Sequence, residues 1–296
     1  MQITILGTSA MLPTKERNPS AIFLSYKSEG ILFDCGEGTQ RQMKIAGIPF
    51  SKITKLLITH WHGDHVLGIP GLIQSMGGSD YQGTLEIYAP KGCKKHFEHM
   101  LQGIVFDFRI AVKFTEVTKK AFFKGKDFNL EALPLDHKIP CLGYSFIENE
   151  KRKIDMIKAK RIGIPEGPLI GEIQEGKVIN FKDKKINPDE ISSIVKGKKI
   201  TFITDTTVCK NAYELAKDSD LLICESSYAS NLKAKALEYK HLTAHDAALI
   251  ASKSNTKKLV LTHFSARYKN TLEIEEDART LFDNIICAKD FTRINL

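Results

Sequence analysis

A cluster of metal-binding side chains constrains this chain more than any other feature: positions 60–65 read HWHGDH. Imidazoles and carboxylates packed this densely need partners when they are buried. The first two imidazoles are two residues apart, which places them on one side of an extended segment, and the glycine lets the chain turn toward a second position. Such donors suit Zn²⁺, with Mn²⁺ or iron as other candidates, and the lack of cysteine favours a catalytic site over a structural one. The candidate ligands are His60, His62, Asp64 and His65.

The motif begins at the end of a short apolar strand, and two later strands also end in a threonine followed by a possible metal ligand. Residues 55–60 read KLLITH, residues 199–205 read KITFITD and residues 258–263 read KLVLTH. We expect these ends to share one sheet edge, where α/β proteins place their ligands. Strand-like and helix-like runs occur in mixed order along the chain, which predicts an α/β class with sheets buried on both faces. Helices are predicted at 37–48, 91–102, 208–218, 229–239 and 243–253.

The composition is that of an ordinary globular protein. The chain has 296 residues, 42% of them hydrophobic, which fits one large domain or two small ones. We find neither an apolar run of roughly 18 residues nor the basic flank of a signal peptide. The six cysteines are widely spaced, which is typical of reduced thiols in the cytosol.

Positive charge is concentrated in one segment. Residues 151–199 contain 13 Lys or Arg and 7 Asp or Glu, a net +6 out of +8 for the chain. This pattern fits either a solvated lysine-rich surface or a contact with a polyanion such as a nucleic acid. Glycines and prolines interrupt residues 151–180, which indicates an arm or a long loop leaving the core.

Five further motifs, together with HWHGDH, resemble those of ribonuclease Z, the tRNA 3′-processing endoribonucleases of the metallo-β-lactamase superfamily. They occur in the family's order and extend over nearly the whole chain. The motifs are PTKERN at 13–18, FDCGEGTQRQ at 33–42, PLDH at 134–137, TDT at 204–206 and LTHFSARY at 261–268.

The resemblance implies a fold and a metal centre. The fold is a four-layer αβ/βα sandwich spanning 1–296, with a substrate-binding arm inserted at about 151–180. The centre holds two Zn²⁺ ions, and Asp34 orients one ligand imidazole by accepting its free N–H. One ion is held by His60, His62 and His137, the other by Asp64, His65 and His263, and Asp205 bridges them.

The resemblance also implies roles around the metals. His241 donates a proton to the leaving 3′-oxygen, Glu225 orients it, and Asp64 helps to position the nucleophile. The chain departs from the family here, because it has ESS where the family has EAT and HLT where the family has HST. Substrate contacts are implied for Lys15, Arg17 and Asn18 at the RNA 3′ end, and for Gly167 and Pro168 in the arm that grips the tRNA.

The predicted function is removal of the 3′ trailer from precursor tRNA, leaving a 3′-OH on the tRNA and a 5′-phosphate on the trailer. We expect a cytoplasmic homodimer in which the arm of one subunit presents substrate to the other. Two alternatives stay open: another hydrolase of the superfamily, such as a phosphodiesterase, thioesterase or lactamase, and a non-catalytic RNA-binding protein. His96, His99 and His245 are expected to lie outside the site.

Overall fold

The computed structural model describes residues 1–105, 107–182 and 184–296. Its strands are β1 (Gln2–Gly7), β2 (Ser9–Ala10), β3 (Ala21–Tyr26), β4 (Glu29–Phe33), β5 (Lys55–Leu57), β6 (Thr84–Pro90), β7 (Ala111–Val117), β8 (Ala121–Lys124), β9 (Phe128–Leu135), β10 (Cys141–Glu148), β11 (Lys151–Ile154), β12 (Ile179–Phe181), β13 (Lys184–Ile186), β14 (Ser192–Val195), β15 (Lys199–Ile203), β16 (Leu221–Glu225), β17 (Leu259–Thr262), β18 (Phe264–Ser265), β19 (Ile285–Cys287) and β20 (Arg293–Asn295). Its α-helices are α1 (Thr39–Ala46), α2 (Gly63–Val66), α3 (Ile69–Gly77), α4 (Cys93–Gln102), α5 (Met156–Ile162), α6 (Pro168–Gln174), α7 (Lys210–Ala216), α8 (Lys233–Tyr239), α9 (Ala244–Lys253) and α10 (Leu272–Arg279).

Two seven-stranded sheets form the core of the larger part of the chain. The first has the order β20-β1-β3-β4-β5-β6-β7 and the second the order β19-β17-β16-β15-β10-β9-β8. Strands β4 to β7 are parallel to one another, as are β15, β16, β17 and β19. Every residue of β16 is buried. Continuous apolar runs of this kind are typical of parallel strands covered on both faces.

The sheets face each other, and helices cover their outer faces. Between the sheets, the Phe33 ring stacks on Phe202 with 3.5 Å between centroids, and Phe146 meets Tyr26 edge-on at 5.2 Å. Residues of α1, α3 and α4 share one buried cluster with the first sheet. Residues of α7, α9 and α10 share another with the second sheet. The order helix, sheet, sheet, helix is the predicted four-layer sandwich.

Several boundaries differ from the sequence-based ones for local reasons. Helix α1 ends where Gly47 adopts a left-handed conformation (φ 70°), which glycine accepts without steric cost. The predicted helix at 229–239 begins as a 3₁₀ turn over Ser230–Leu232 before α8. Strand β5 ends at Leu57, so His60 follows in irregular backbone rather than on the strand.

The chain divides into two compact units. The larger comprises residues 1–123, 130–146 and 199–296, and the smaller comprises residues 124–129 and 147–198. Residues 151–180, predicted as an arm or long loop, lie in the smaller unit and contain α5, α6 and short strands. This unit has its own buried cluster, formed by Ala159, Ile164, Ile173, Ile179, Ile186 and Ile191. Among the described residues, no helix is both long and apolar enough to cross a membrane.

Candidate metal centre

Four side chains predicted to bind metal converge in a first group, formed by His60, His62, His137 and Asp205. His62 Nδ1 lies 3.0 Å from His60 Nε2 and 3.3 Å from His137 Nε2. Asp205 Oδ2 lies 3.6 Å from His60 Nε2 and 3.9 Å from His137 Nε2. Neighbouring ligands of a tetrahedral zinc ion at about 2.0–2.1 Å stand roughly 3.3 Å apart, so these spacings suit one shared cation.

A second group lies beside the first and consists of Asp64, His65 and His263. His65 Nε2 lies 3.4 Å from Asp64 Oδ2 and 3.5 Å from Asp205 Oδ1. His263 Nε2 lies 3.5 Å from Asp64 Oδ2 and 3.4 Å from Asp205 Oδ1. Asp205 therefore directs one carboxylate oxygen to each group, and all seven side chains predicted as ligands lie together.

The fold gathers these side chains at one edge of the two sheets. His60 and His62 follow β5, and Asp64 and His65 lie on the short helix α2. The remaining ligands come from the second sheet, where each follows a strand end: His137 follows β9, Asp205 follows β15 and His263 follows β17. Each sheet thus contributes candidate ligands to a common site.

Unpaired buried atoms test whether a cation suits this site. Among the described side chains, His65 Nε2, His263 Nε2 and Asp205 Oδ1 are buried without a hydrogen-bond partner. Buried polar atoms rarely lack a partner. His65 and His263 belong to the second group and Asp205 Oδ1 faces it, so one bound divalent cation would satisfy all three atoms.

Hydrogen bonds made by Nδ1 explain why Nε2 is the nitrogen left free in three of the candidate ligand histidines. Nδ1–H of His65 donates to Asp34 Oδ2 at 2.7 Å, and Nδ1–H of His263 donates to Ser227 Oγ at 3.0 Å. Nδ1–H of His137 donates to the Lys240 carbonyl at 3.1 Å. A neutral imidazole that donates from Nδ1 presents a lone pair at Nε2, as a metal ligand requires. The donor set therefore fits a divalent metal.

Burial and neighbouring charge set the protonation states. Burial lowers the pKa of His60, His62 and His137, which favours neutral imidazoles. Burial also disfavours a charged His65, but Asp34 and Asp205 outweigh it and raise the pKa of His65. Asp34, Asp64 and Asp205 therefore surround the buried His65 with negative charge, which a divalent cation would neutralise in place of a ring proton.

The two carboxylates inside the centre are held ionised. Burial raises the pKa of Asp64 and of Asp205, but the surrounding histidines outweigh it and the net pKa of each falls well below its usual range. Both therefore offer charged oxygens to a cation at neutral pH.

His241 and Glu225 form a pair beside the first group. His241 Nδ1 lies 3.1 Å from Glu225 Oε2 and 3.7 Å from Asp205 Oδ2. Glu225 is fully buried and also accepts from the Thr206 N–H at 2.9 Å and the Ser227 hydroxyl at 2.6 Å. Burial opposes the charged imidazole, but Glu225 and Asp205 outweigh it and raise the pKa of His241 to about 9.

The predicted RNA-contacting residues lie in two places. In the loop before β3, Lys15 is exposed, whereas Arg17 donates to the Tyr268 carbonyl at 2.9 Å. The Asn18 side chain donates to the Glu37 carbonyl at 2.8 Å and so fastens the loop. In the smaller unit, Gly167 and Pro168 begin α6, with Gly167 at a φ of 143°.

Sequence reasoning missed three supporting residues. Ser227 connects Glu225 to His263, and the Lys240 carbonyl holds His137. Asp290 accepts from the Asn18 N–H at 2.8 Å and so supports the loop that carries Lys15 and Arg17. Ser227 stood out in the sequence only as part of ESS, where the family has EAT, and that difference does not reveal its contacts; a backbone carbonyl such as that of Lys240 carries no motif. His96, His99 and His245, predicted outside the site, belong to neither ligand group.

The sandwich and its histidine–aspartate edge define the metallo-β-lactamase fold. The metallo-β-lactamase fold protein YhfI from Bacillus subtilis superimposes with a TM-score of 0.72 at 16% identity, covering 99% of this chain and 98% of that one. The short form of human tRNase Z superimposes with a TM-score of 0.73 at 27% identity, covering 100% and 99%.

Sequence comparison is more specific. Ribonuclease Z of Protochlamydia amoebophila is 39% identical over 99% of this chain and 98% of its own length. A family model described as anti-Pycsar protein Apyc1 also matches residues 1–154. The chain belongs to the ribonuclease Z family, and its first half falls within that Apyc1 family as well. The predicted fold and the predicted family are both confirmed.

Proposed function

We propose that this protein is a metal-dependent endoribonuclease that removes the 3′ trailer of precursor tRNA. The observation that carries the proposal is the convergence of seven candidate ligand side chains, six of them around Asp205, in a chain of the ribonuclease Z family. The products are a tRNA ending in a 3′-OH and a trailer beginning with a 5′-phosphate. The roles assigned below to individual residues are part of this proposal.

The resident metals are proposed to be two Zn²⁺ ions. One ion would be held by His60, His62 and His137, and the other by Asp64, His65 and His263. Asp205 would contribute to both sites. Bound divalent cations polarise a phosphodiester and lower the pKa of a water molecule. Two aspartates leave two such cations with net positive charge, so the site attracts the RNA phosphate.

The leaving group is proposed to receive its proton from His241. Glu225 accepts from His241 Nδ1, which fixes the ring and leaves Nε2 to donate to the departing 3′-oxygen. Glu225 is the main group that raises the pKa of His241, and since it lies outside the proposed ligand set it can favour the protonated imidazole beside bound metal. Ser227 replaces the family's threonine and retains a hydroxyl against Glu225, so the local substitution preserves the pair.

Substrate binding is assigned to two surfaces. The loop around Lys15 and Arg17 contacts the RNA 3′ end, where cations grip phosphate oxygens. Helix α5 in the smaller unit carries the exposed Lys158, Lys160 and Arg161 and contacts the tRNA backbone, which proteins read by shape and phosphate position. Gly167 and Pro168 belong to the same arm.

The assembly is proposed to be a homodimer in the cytoplasm. The described cysteines, Cys35 and Cys141 among them, are free thiols, as is usual in that compartment. Light scattering of the purified protein measures its mass in solution. The mass of a monomer would contradict the proposed dimer but not the proposed metal centre or cleavage reaction.

The direct test is incubation with end-labelled precursor tRNA, with and without a chelator. We expect one cut at the trailer boundary, loss of cleavage on chelation and recovery with added Zn²⁺, while mature tRNA stays intact. Hydrolysis of a small phosphodiester without cleavage of the precursor would favour another hydrolase of the superfamily. Binding without any cleavage would favour a non-catalytic RNA-binding protein.

A further inference from the structure

The hydroxyl of Thr59 lies between two side chains of the candidate centre. Thr59 Oγ1 is 2.8 Å from Asp34 Oδ2 and 3.0 Å from His60 Nδ1. The Thr59 backbone N–H donates to Asp34 Oδ1 at 2.8 Å. Thr59 and His60 are fully buried and Asp34 is 2% exposed, so water does not compete for these contacts.

The chemistry of the three groups sets the direction of each hydrogen bond. A carboxylate only accepts, so the Thr59 hydroxyl donates to Asp34. The same hydroxyl oxygen is then left to accept, and His60 must donate to it from Nδ1. The neutral His60 ring consequently presents its lone pair at Nε2, the atom that faces His62 and Asp205.

Asp34 serves the other metal group directly. Its Oδ2 also accepts from His65 Nδ1 at 2.7 Å, and His65 belongs to the second group. The backbone of Asp34 is left-handed (φ 57°), and its N–H donates to the Leu57 carbonyl at 2.9 Å, which fixes the residue beside the centre. One rigid carboxylate is therefore linked to an imidazole in each group.

We propose that Thr59 is a positioning residue that relays the orienting effect of Asp34 to His60. Asp34 sets the ring of His65 by direct contact and the ring of His60 through the Thr59 hydroxyl, so one buried carboxylate prepares a ligand for each cation. This inference rests on the proposed two-metal function.

Thr204 occupies a comparable place next to another candidate ligand but lacks the contact that Thr59 makes. It precedes Asp205 at a strand end just as Thr59 precedes His60. Among the described residues, however, its buried hydroxyl has no hydrogen-bond partner. Thr204 therefore provides a matched site for the same chemical change.

The experiment is a titration of metal-free protein with Zn²⁺ in competition with a chromophoric chelator. Thr59→Val removes the hydroxyl at nearly constant volume, and we expect one of two sites to weaken about 10–100-fold, the usual effect of losing a group that orients a ligand. Thr59→Ser should restore the affinity, and Thr204→Val should leave both sites unchanged. Asp34→Asn should weaken both.

Two unchanged sites in Thr59→Val would overturn the relay while leaving the proposed function intact, whereas a wild-type protein that binds neither zinc, manganese nor iron and does not cleave precursor tRNA would overturn the function itself. If Thr59→Val does not fold, ¹⁵N NMR of the wild-type histidines decides. A proton on His60 Nδ1 supports the relay, and a proton on Nε2 overturns it.

Discussion

At the scale of single residues, the centre is defined by which ring nitrogen each histidine leaves free. His65, His137 and His263 all donate from Nδ1 to groups outside the centre and point Nε2 inward. His241 is different, because the ring nitrogen that lies near Asp205 Oδ2 is Nδ1, at 3.7 Å, and this nitrogen already contacts Glu225. This contrast separates side chains suited to hold metal from one suited to transfer a proton.

Replacing His241 tests that distinction. We expect His241→Gln to lower the rate of precursor cleavage by about 10²–10⁴-fold, because general acid catalysis is lost, while zinc content stays at the wild-type value. Single-turnover cleavage and elemental analysis of the same preparation measure both quantities. The control is His245→Gln, the same change four residues away and outside the site. A parallel loss of zinc would instead make His241 a ligand with Asp205 and His263.

At the scale of elements, α5 separates binding from chemistry. The helix exposes three cations and lies in a unit with its own buried cluster, whereas every candidate ligand belongs to the larger unit. A change confined to the charges of α5 can therefore weaken RNA binding while the ligand set stays intact.

Reversing the charge of α5 tests its assigned role. We expect the triple variant Lys158→Glu, Lys160→Glu and Arg161→Glu to raise the KM for precursor tRNA. The slope of the logarithm of the binding constant against the logarithm of salt concentration should fall by the amount that corresponds to about three phosphate contacts. Hydrolysis of a small phosphodiester should be unchanged. The matched control reverses Lys91, Lys94 and Lys95, which are exposed at or near α4. Equal effects from both triple variants would indicate a response to net charge alone.

The sequence predicted the elements best where the apolar pattern was long. The runs at 199–205 and 258–263, which became β15 and β17, were placed within a residue or two, because buried strands have a clear apolar pattern. It predicted less well at 151–180, where short elements around a six-residue cluster lack a sustained period. The ligand residues were identified from motif and family resemblance, but Thr59 and Ser227 were not, because their importance lies in contacts that only the folded chain creates.

At the scale of the whole molecule, the centre connects the two sheets. Its ligands follow strands of both sheets, and three of its buried atoms have no partner among the described residues. Metal binding should therefore stabilise the larger unit as a whole rather than one loop.

Chelation tests this coupling. We expect metal-free protein to unfold at a lower temperature, and added Zn²⁺ at about 100 times its Kd to contribute about 2.7 kcal/mol, since a ligand that binds only the folded state stabilises it by mass action. Thermal unfolding followed by circular dichroism measures the shift. His62→Ala should show a smaller shift because it lacks one donor. Superimposable melting curves with and without zinc would contradict the coupling.

The arrangement of ligands along the chain also governs when the centre can first exist. His60 to His65 leave the ribosome early, but Asp205 and His263 follow only after most of the chain has been synthesised. Domains fold as units once their strands are present, so a nascent chain carries an incomplete set of donors throughout most of translation. On the proposed function, loading with metal would therefore be a late event in the biogenesis of this protein, and translation products that end before His263 would lack part of the candidate ligand set.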